Sequence, residues 1–387
     1  LTQADLIIDA ILGTGNNRKI EEPLSTILDL VRTEQLKQDP PQILAVDIPT
    51  GINADSGSVD SHHIVADITL SLGFPKFGQF LSPAAEYTGR LFNASIGIPP
   101  TLSTTSPIEI STVTSIRPLL GRRAKFSHKG TFRKALVIAG SSQYIGAAYL
   151  ACIGSLRTGL GYVTLGSLAT NYPILSAQLI EATHLIIPEA SPGSPDKTAA
   201  ETILELSKQY DALLIGCGLG NQPGVEELVG SVLLSNRILS LPVVVDADGL
   251  THLSKTNGWW EKLTSSTIIT PHPGEMATLT GIPISEIQNN RAEYARKFSS
   301  EWGVIIVLKG AYTIIASPDG RQSLNPIANP ILATAGTGDV LAGIITGQLA
   351  QGLKPFEAAL SGVFIHSISG ELLSKEMGDR GGIATDL

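Results

Sequence analysis

From residue 134 onward, short runs of apolar residues alternate with longer segments whose apolar residues recur at helical spacing. The short runs are rich in Val, Ile and Leu, which is typical of strands buried on both faces. Strands that alternate with helices favour a mostly parallel sheet covered by helices on both sides. The predicted strands are residues 135–139, 162–165, 185–187, 212–215, 243–245, 267–270 and 304–308. The predicted helices include residues 147–158, 199–209, 226–233, 338–349 and 355–374.

The first hundred residues show the same alternation in a shorter form. Predicted strands lie at residues 6–12, 43–48, 64–72 and 91–97, and a predicted helix lies at 23–34. A stretch rich in Pro, Ser and Thr follows, with little periodicity. Because 387 residues exceed the usual size of a single core, two domains are expected. We predict an α/β protein with a partial Rossmann-like domain at 1–105, a linker at 106–116 and a larger domain at 117–387.

Composition argues against several classes of function. The chain has 27 basic and 35 acidic residues and no run of Lys or Arg, so nucleic acid and anionic membranes are poor partners. No stretch of uninterrupted apolar residues is long enough for a transmembrane helix. Cys152 and Cys217 lie far apart in apolar segments, which indicates core residues and not a disulfide or zinc site. The chain opens on Leu1 without a leader, so we expect a cytoplasmic protein that lacks an upstream portion.

One helix of the second domain begins with a run of small residues, Thr334-Ala335-Gly336-Thr337-Gly338-Asp339. Small residues let the backbone approach an anion, and the free N–H groups of a helix start can hold a phosphate. Asp339 would then accept a proton from a substrate hydroxyl beside the transferring phosphoryl group. It could equally do no more than stabilise the helix dipole from the first turn. These residues alone leave both interpretations open.

Four further polar or glycine-rich loops each follow a predicted strand directly. Any of them alone could be an ordinary turn. Because the carboxyl ends of parallel strands lie on one edge of a sheet, their coincidence indicates a ligand site at that edge. The loops are Gly216-Cys217-Gly218-Leu219-Gly220, Asp246-Ala247-Asp248, Pro271-His272-Pro273-Gly274-Glu275 and Lys309-Gly310-Ala311-Tyr312-Thr313.

Together with two earlier motifs, these segments resemble the NAD(P)H-hydrate dehydratase family. The resemblance covers residues 117–387 and implies a ribokinase-like three-layer α/β/α fold. The motifs, in order, are His128-Lys129-Gly130-Thr131-Phe132, Val137-Ile138-Ala139-Gly140-Ser141 with Gly146-Ala147-Ala148, Gly218-Leu219-Gly220, Asp246-Ala247-Asp248, Thr270-Pro271-His272-Pro273-Gly274-Glu275, Leu308-Lys309-Gly310-Ala311, and Asn329-Pro330 leading into Ala335-Gly336-Thr337-Gly338-Asp339. Seven motifs in order are far more specific than Gly-x-Gly-Asp alone, which marks any ribokinase-like kinase.

This resemblance implies the repair of nicotinamide cofactors whose dihydropyridine ring has been hydrated, with ADP as co-substrate. Asp339 would activate the ring hydroxyl for attack on the terminal phosphoryl group of ADP. The backbone of Gly336, Thr337 and Gly338 would stabilise the developing charge. Loss of the phosphate ester would restore NADH or NADPH, with AMP and phosphate as the other products.

The resemblance also assigns residues to two ligands and a metal. The nucleotide would contact Lys309, Gly310, Ala311, Tyr312, Thr313 and Gly338, and the hydrated cofactor would contact Ala147, Gly218, Gly220, His272 and Asp339. Magnesium is expected because transferred phosphoryl groups need their charge neutralised, and Glu275 is the candidate for its water-mediated ligand. The family suggests a homo-oligomer.

The N-terminal segment resembles the last part of the NAD(P)H-hydrate epimerase domain. The matching stretches are Asp5-Leu6-Ile7-Ile8-Asp9-Ala10, Gly13-Thr14-Gly15, Ala45-Val46-Asp47-Ile48-Pro49-Thr50-Gly51 and Gly73-Phe74-Pro75-Lys76. The resemblance implies that Asp9 and Thr50 bind potassium, and that Asp47 with Gly13, Thr14, Gly15, Asn16, Asn17, Arg18 and Lys19 faces the hydrated cofactor.

Asp47 is the candidate acid/base for interconverting the two epimers, although an Asp at this position could equally hold the turn by side-chain hydrogen bonds. The Asn- and Gly-rich loop of the epimerase family has no counterpart in the chain. We therefore expect epimerase activity from the parent protein and none from this segment.

Two alternatives remain open for the second domain. A ribokinase-like kinase of a vitamin-precursor alcohol would share Gly-x-Gly-Asp but would release a stable phosphorylated product. A non-catalytic nucleotide-binding protein would keep the fold and its ligand, and replacement of Asp339 would leave its binding unchanged.

Overall fold

The computed structural model describes residues 4–99, 101–102, 108–123 and 125–387. The chain divides into two compact units, Leu1–Ser106 and Pro107–Leu387. Each unit has its own sheet and its own apolar core. No helix among the described residues is long and apolar enough to cross a membrane.

The first unit is built on a parallel sheet of four strands in the order β1-β2-β3-β4. Helix α1 packs Leu28 and Val31 against Ile43 of the sheet, in a small core that these residues share with Ile64. The outward-facing residues of β1 stay exposed, with Ile8 at 59%. The elements are β1 (Leu6–Asp9), α1 (Leu24–Gln35), β2 (Gln42–Val46), β3 (Ile68–Leu72) and β4 (Arg90–Ala94).

The second unit contains a sheet of ten strands and a separate two-stranded hairpin. Its strands are β5 (Glu109–Ile110), β6 (Lys134–Ile138), β7 (Tyr162–Leu168), β8 (Thr183–Ile187), β9 (Glu189–Ser191), β10 (Ser194–Pro195), β11 (Ala212–Ile215), β12 (Val243–Val245), β13 (Thr267–Ile269), β14 (Ile305–Leu308), β15 (Ile314–Ala316) and β16 (Gln322–Leu324). Its helices are α2 (Val113–Ile116), α3 (Ile145–Arg157), α4 (Tyr172–Gln178), α5 (Ala199–Ser207), α6 (Val225–Leu233), α7 (Asp248–Leu253), α8 (Pro273–Thr280), α9 (Ile284–Asn289), α10 (Arg291–Trp302), α11 (Thr337–Ala350) and α12 (Pro355–Met377).

The strand order of the large sheet is β5-β16-β15-β14-β13-β12-β11-β6-β7-β8. The strands from β14 to β8 in this order are all parallel, whereas β15 pairs antiparallel with both β14 and β16. The predicted parallel sheet is confirmed, and the seven predicted strands are all present. Strands β15 and β16 were not predicted, because they follow β14 as antiparallel neighbours and stand outside the alternation of strand and helix on which the prediction rested.

Helices cover both faces of this sheet, as predicted, and the two faces form separate apolar cores. On one face α3 and α11 lie so close that glycines occupy their contact. A Cβ built on Gly343 would lie 2.2 Å from the Ala151 carbonyl oxygen, and one on Gly154 would lie 2.5 Å from the Val340 carbonyl oxygen. This close packing fixes the position of α11, whose first turn carries Asp339.

The segment predicted as a linker, residues 106–116, contains structured elements of the second unit. Strand β5 pairs with β16, and α2 follows it with Thr112 as its capping residue. A two-residue strand at a sheet edge has no periodicity of its own, so it depends on the rest of the sheet to form.

Candidate functional site

The loops that follow β11, β12, β13 and β14 meet at one edge of the sheet, because these strands are parallel. At their centre lies Asp246, which is almost fully buried. Its Oδ1 atom accepts hydrogen bonds of 2.6 Å from Lys309 Nζ and from Thr270 Oγ1. Burial alone would lower the pKa of Lys309, but the attraction of Asp246 and Glu275 outweighs burial and raises it. Lys309 is therefore a fixed cation at the sheet edge.

Helix α11 begins directly after Gly336, its capping residue, which adopts a left-handed conformation (φ 92°). Asp339 lies in the first turn of this helix. Ligand atoms of Asp339, Asp246 and Cys217 all lie within 4.8 Å of one another. Burial raises the pKa of Asp339 to about 6, and repulsion by Asp246 adds to the effect. A carboxyl group with such a pKa can take up and release a proton near neutral pH.

The start of α11 also presents backbone donors. The N–H groups of Thr337 and Val340 bond to Thr334 and Gly336. Those of Gly338 and Asp339 have no acceptor among the described residues. Free N–H groups at the N-terminus of a helix are suited to bind an anion. The candidate proton acceptor, the Asp339 carboxylate, thus shares one turn of helix with the N–H groups that could donate hydrogen bonds to an anion.

A cavity of about 420 Å³ opens beside this turn. This volume falls in the range of small-molecule sites. Five of the six residues predicted to contact nucleotide line it, namely Lys309, Gly310, Ala311, Thr313 and Gly338. Tyr312 is not among the lining residues of the described chain, and its backbone is left-handed (φ 54°). The remaining lining residues come from the segment 327–333, from α11 and from α12.

The residues predicted to contact the hydrated cofactor lie in two loops and in the first turns of two helices, α3 and α11. Gly218 is left-handed (φ 61°) and approaches α3 so closely that a Cβ would lie 2.7 Å from Ala147 Cβ. The Gly220 N–H donates to Asp248 Oδ2 over 2.8 Å. His272 caps α8, since its Nδ1 accepts from the Gly274 N–H over 3.0 Å. The structure brings Ala147 and Gly218 into contact and leaves His272 half exposed.

Glu275 connects His272 to the centre of the site. Its Oε2 accepts from the His272 N–H over 2.7 Å and lies 3.6 Å from Lys309 Nζ. Burial raises the pKa of Glu275, although Lys309 lowers it. Three carboxylates, Glu275, Asp246 and Asp339, therefore surround one lysine and leave an excess of negative charge. This donor set fits Mg²⁺, which takes carboxylate oxygens and keeps several waters and phosphate oxygens.

In the first unit, the two residues predicted to bind potassium touch each other. The Thr50 hydroxyl donates to Asp9 Oδ1 and its N–H donates to Asp9 Oδ2, both over 2.7 Å. Both residues are buried. A buried carboxylate and hydroxyl offer oxygen ligands to a hard cation.

Asp47 follows β2 and has a left-handed backbone (φ 73°). Its Oδ1 accepts from the Leu72 N–H over 2.9 Å and pairs with Lys76, while its carbonyl accepts from Gln79. The hydrogen bonds from Leu72 and Gln79 fix the turn. The ion pair places the Lys76 ammonium group against the carboxylate of the predicted acid/base. The predicted loop Gly13–Lys19 is mostly exposed, and its Asn17 accepts a hydrogen bond from Asn53 over 2.8 Å.

Several residues near the second unit's site were not among the predicted site residues. Asp246 belongs to the motif Asp246-Ala247-Asp248, so its position after β12 was an available signal. Cys217, expected to be only a core residue, is buried but contacts Asp246 with its Sγ 3.8 Å from Oδ2. His366 lines the cavity from α12, and its Nε2 has no hydrogen-bond partner among the residues that the structure describes. Burial lowers the pKa of His366 to about 4. No local pattern distinguishes His366 from a core histidine.

The second unit has three layers, α/β/α, and carries an Asp at the glycine-bounded start of a helix, at the carboxyl edge of its parallel strands. These features define the ribokinase-like class of proteins. Comparison with known sequences gives the family. The chain belongs to the NAD(P)H-hydrate dehydratase family, whose sequence profile matches residues 135–387. The profile of the YjeF-related protein N-terminus matches residues 1–78.

Individual relatives agree with this assignment. The bifunctional NAD(P)H-hydrate repair enzyme Nnr of Moorella thermoacetica is 37% identical over 389 residues, covering 100% of this chain and 72% of the relative. The ADP-dependent (S)-NAD(P)H-hydrate dehydratase of Bacillus subtilis is 39% identical over 261 residues, or 67% of this chain and 88% of the relative.

Among solved structures, the ADP/ATP-dependent NAD(P)H-hydrate dehydratase of Bacillus subtilis, co-crystallised with ATP/Mg²⁺, is similar over 72% of this chain and 94% of its own. The TM-score is 0.60 and the sequence identity is 34%. The resemblance and the ribokinase-like fold predicted from the sequence are thereby confirmed.

Proposed function

We propose that the second unit catalyses the ADP-dependent dehydration of the (6S) form of hydrated NADH or NADPH, with release of AMP and phosphate. The observation that carries the proposal is the position of Asp339. Its carboxyl group, whose pKa is raised to about 6, shares the first turn of α11 with the N–H groups of Gly338 and Asp339, which have no acceptor among the described residues. The same turn contributes Gly338 to the cavity that Lys309 also lines. The names of the relatives support the substrate and the co-substrate.

The reaction begins with ADP in the cavity, its phosphates between Lys309 and the N–H groups of Gly338 and Asp339. Asp339 accepts the proton of the ring hydroxyl, and the hydroxyl oxygen attacks the terminal phosphorus as the bond to AMP breaks. The ring nitrogen's lone pair then expels phosphate, and loss of a proton from the neighbouring carbon restores the dihydropyridine. Magnesium, when bound, neutralises phosphate charge, and Glu275 is the residue that would hold it through water.

The decisive experiment uses the purified chain with chemically prepared hydrated NADH, ADP and Mg²⁺, followed by the near-ultraviolet absorbance of reduced nicotinamide. We expect recovery that requires ADP and falls by about 10²-fold or more in Asp339→Asn. Asp379→Asn, an exposed carboxylate in the same unit, is the matched control and keeps wild-type activity. A stable phosphorylated product without recovery of NADH would overturn the proposal and favour a ribokinase-like kinase.

We also propose that the first unit is the C-terminal part of an epimerase site, with Asp47 as acid/base and potassium bound by Asp9 and Thr50. The contacts of Asp47 with Lys76 and of Asp9 with Thr50 support this assignment. The parent protein epimerises the hydrated cofactor, whereas this segment alone does not. The statement about this segment is tested with a mixture of both epimers. It holds if only one epimer is consumed on a timescale faster than spontaneous epimerisation.

The remaining proposals concern organisation. The functional domains correspond to residues 1–105 and 117–387, with β5 and α2 of the segment 106–116 joined to the second of them. The protein acts in the cytoplasm as a homo-oligomer. The net charge of −8 supports small molecules as partners, without nucleic acid or membrane. Size-exclusion chromatography with light scattering tests the oligomer, and a monomer at micromolar concentration would contradict it.

A further inference from the structure

Arg291, the first residue of α10, contacts the loop Lys309–Thr313. Its Nη1 donates to the Ala311 carbonyl oxygen over 2.6 Å. Its Nη2 donates to the carbonyl oxygens of Leu308 and Lys309 over 3.0 and 3.1 Å. One guanidinium therefore fixes three peptide groups, on both sides of Gly310.

The loop that Arg291 holds has an uncommon backbone. Gly310 has φ 141° and Tyr312 has φ 54°, and both values lie in regions that side chains disfavour. A Cβ on Gly310 would lie 3.0 Å from Arg291 Nη2, so the glycine also makes room for the guanidinium. Uncommon conformations persist only where surrounding contacts hold them, and they cluster at functional sites. Arg291 supplies such contacts, and it is not among the residues that line the cavity.

The charge of Arg291 has no counterion within the part of the chain that the structure describes. Among the described residues no carboxylate forms an ion pair with it, and its Nε atom is buried without a hydrogen-bond partner. Burial lowers its pKa to about 10, so it stays charged at neutral pH. The side chain as a whole is only partly buried, but a cation that has lost much of its water is normally paired, because leaving it unpaired is costly. Lys309, in contrast, is already neutralised by Asp246.

We propose that Arg291 is a positioning residue for a nucleoside diphosphate: it holds the loop Lys309–Thr313 in the conformation that receives the phosphates, and its unpaired charge attracts them across the loop. The inference rests on the proposed function, because it takes the cavity to be the ADP site. A purely structural arginine would fasten α10 to β14 without affecting the nucleotide.

Two variants separate the hydrogen bonds from the charge. Arg291→Lys keeps the charge but cannot make the forked contacts, and Arg291→Gln loses the charge. Arg296→Gln, an exposed position of the same helix, is the matched control. The measurements are ADP affinity by calorimetry, KM for ADP, KM for the hydrated cofactor, and the melting temperature.

We expect Kd and KM for ADP to rise about tenfold in Arg291→Lys and more in Arg291→Gln, because charge-assisted bonds are the strong ones. KM for the hydrated cofactor stays within about twofold, as expected for loss of an interaction with one substrate only. A folded variant with a lower melting temperature and unchanged ADP affinity would overturn the proposal. Should Arg291→Gln fail to fold, Arg291→Lys decides by the same criterion.

The calorimetry also separates this inference from the proposed reaction. If the wild-type chain binds ADP but does not dehydrate the substrate, the reaction is overturned, while weaker ADP binding in the variants still supports the role of Arg291. If the wild-type chain does not bind ADP, both proposals are overturned.

Discussion

Lys309 and Asp246 form a buried ion pair in which Nζ lies 2.6 Å from Oδ1, and the pair ties the loop after β14 to the loop after β12. Asp246 therefore acts on two charged groups in opposite ways, by attraction on Lys309 and by repulsion on Asp339. It holds the lysine that faces the cavity, and its negative charge raises the pKa of Asp339. The proton affinity of the candidate base thus depends on a residue that need not touch the substrate.

The first prediction concerns the pH dependence of turnover. Asp339 must be ionised to accept a proton, so kcat/KM should fall as the pH falls through about 6. Asp246→Asn removes a repulsive charge and lowers the pKa of Asp339, so the acidic limb of the profile should move to lower pH. The measurement is kcat/KM for the hydrated cofactor across the pH range, and an acidic limb that stays in place or moves up would contradict the assignment.

The second prediction concerns stability. The folded-state pKa of Asp339, about 6, lies above its ordinary value, so the stability contributed by this carboxyl is present at low pH and is lost as the pH rises through about 6. Asp339→Asn should therefore be more stable than wild type by about 3 kcal/mol near pH 8 and by only about 1 kcal/mol near pH 4.5. Urea unfolding at both pH values measures the difference. Asp379→Asn should show no such dependence, and an equal effect at both pH values would count against a raised pKa.

The third prediction tests how the fold positions the site. Gly343→Ala places a methyl group 2.2 Å from the Ala151 carbonyl oxygen and must push α11 away from α3. We expect a loss of about 1–3 kcal/mol in the free energy of unfolding, together with lower activity because Asp339 moves with the helix. Gly230→Ala in α6 is the control, since its added Cβ meets nothing within 4 Å and should be neutral or slightly stabilising. Equal stability of the two variants in urea would refute the packing argument.

The fourth prediction concerns magnesium. Glu275→Gln keeps the shape of the side chain and its bond to the His272 N–H but removes the charge that would hold the ion through water. The Mg²⁺ concentration needed for half-maximal turnover should rise about tenfold, in the range found for residues that support a metal without direct ligation. Glu376→Gln, exposed on α12, should leave the titration unchanged. An unaltered Mg²⁺ dependence in Glu275→Gln would exclude Glu275 as the metal's support.

The sequence predicted the sheet of the second unit well because its parallel strands are buried on both faces and apolar throughout. It also indicated the sheet edge, because polar loops followed the strands. It did not predict β15, β16 or β5, whose pairing depends on neighbours distant in the chain. Arg291 was missed as a neighbour of the site for the same reason, and Cys217, although it lies in a loop predicted at the sheet edge, was predicted only as a core residue. Only the assembled sheet brings Cys217 to Asp246, and only the packing of α10 brings Arg291 to the Lys309 loop.

The most direct test of the central claim is to follow the oxygen of the ring hydroxyl. Hydrated NADH carrying oxygen-18 at this hydroxyl is incubated with the chain, ADP and Mg²⁺ in ordinary water, and the released phosphate is analysed by mass spectrometry. If Asp339 activates the hydroxyl for attack on ADP, the phosphate carries the label, with one labelled phosphate for each NADH restored. Unlabelled phosphate alongside restored NADH would show that ADP cleavage and dehydration are separate events, and would contradict the mechanism.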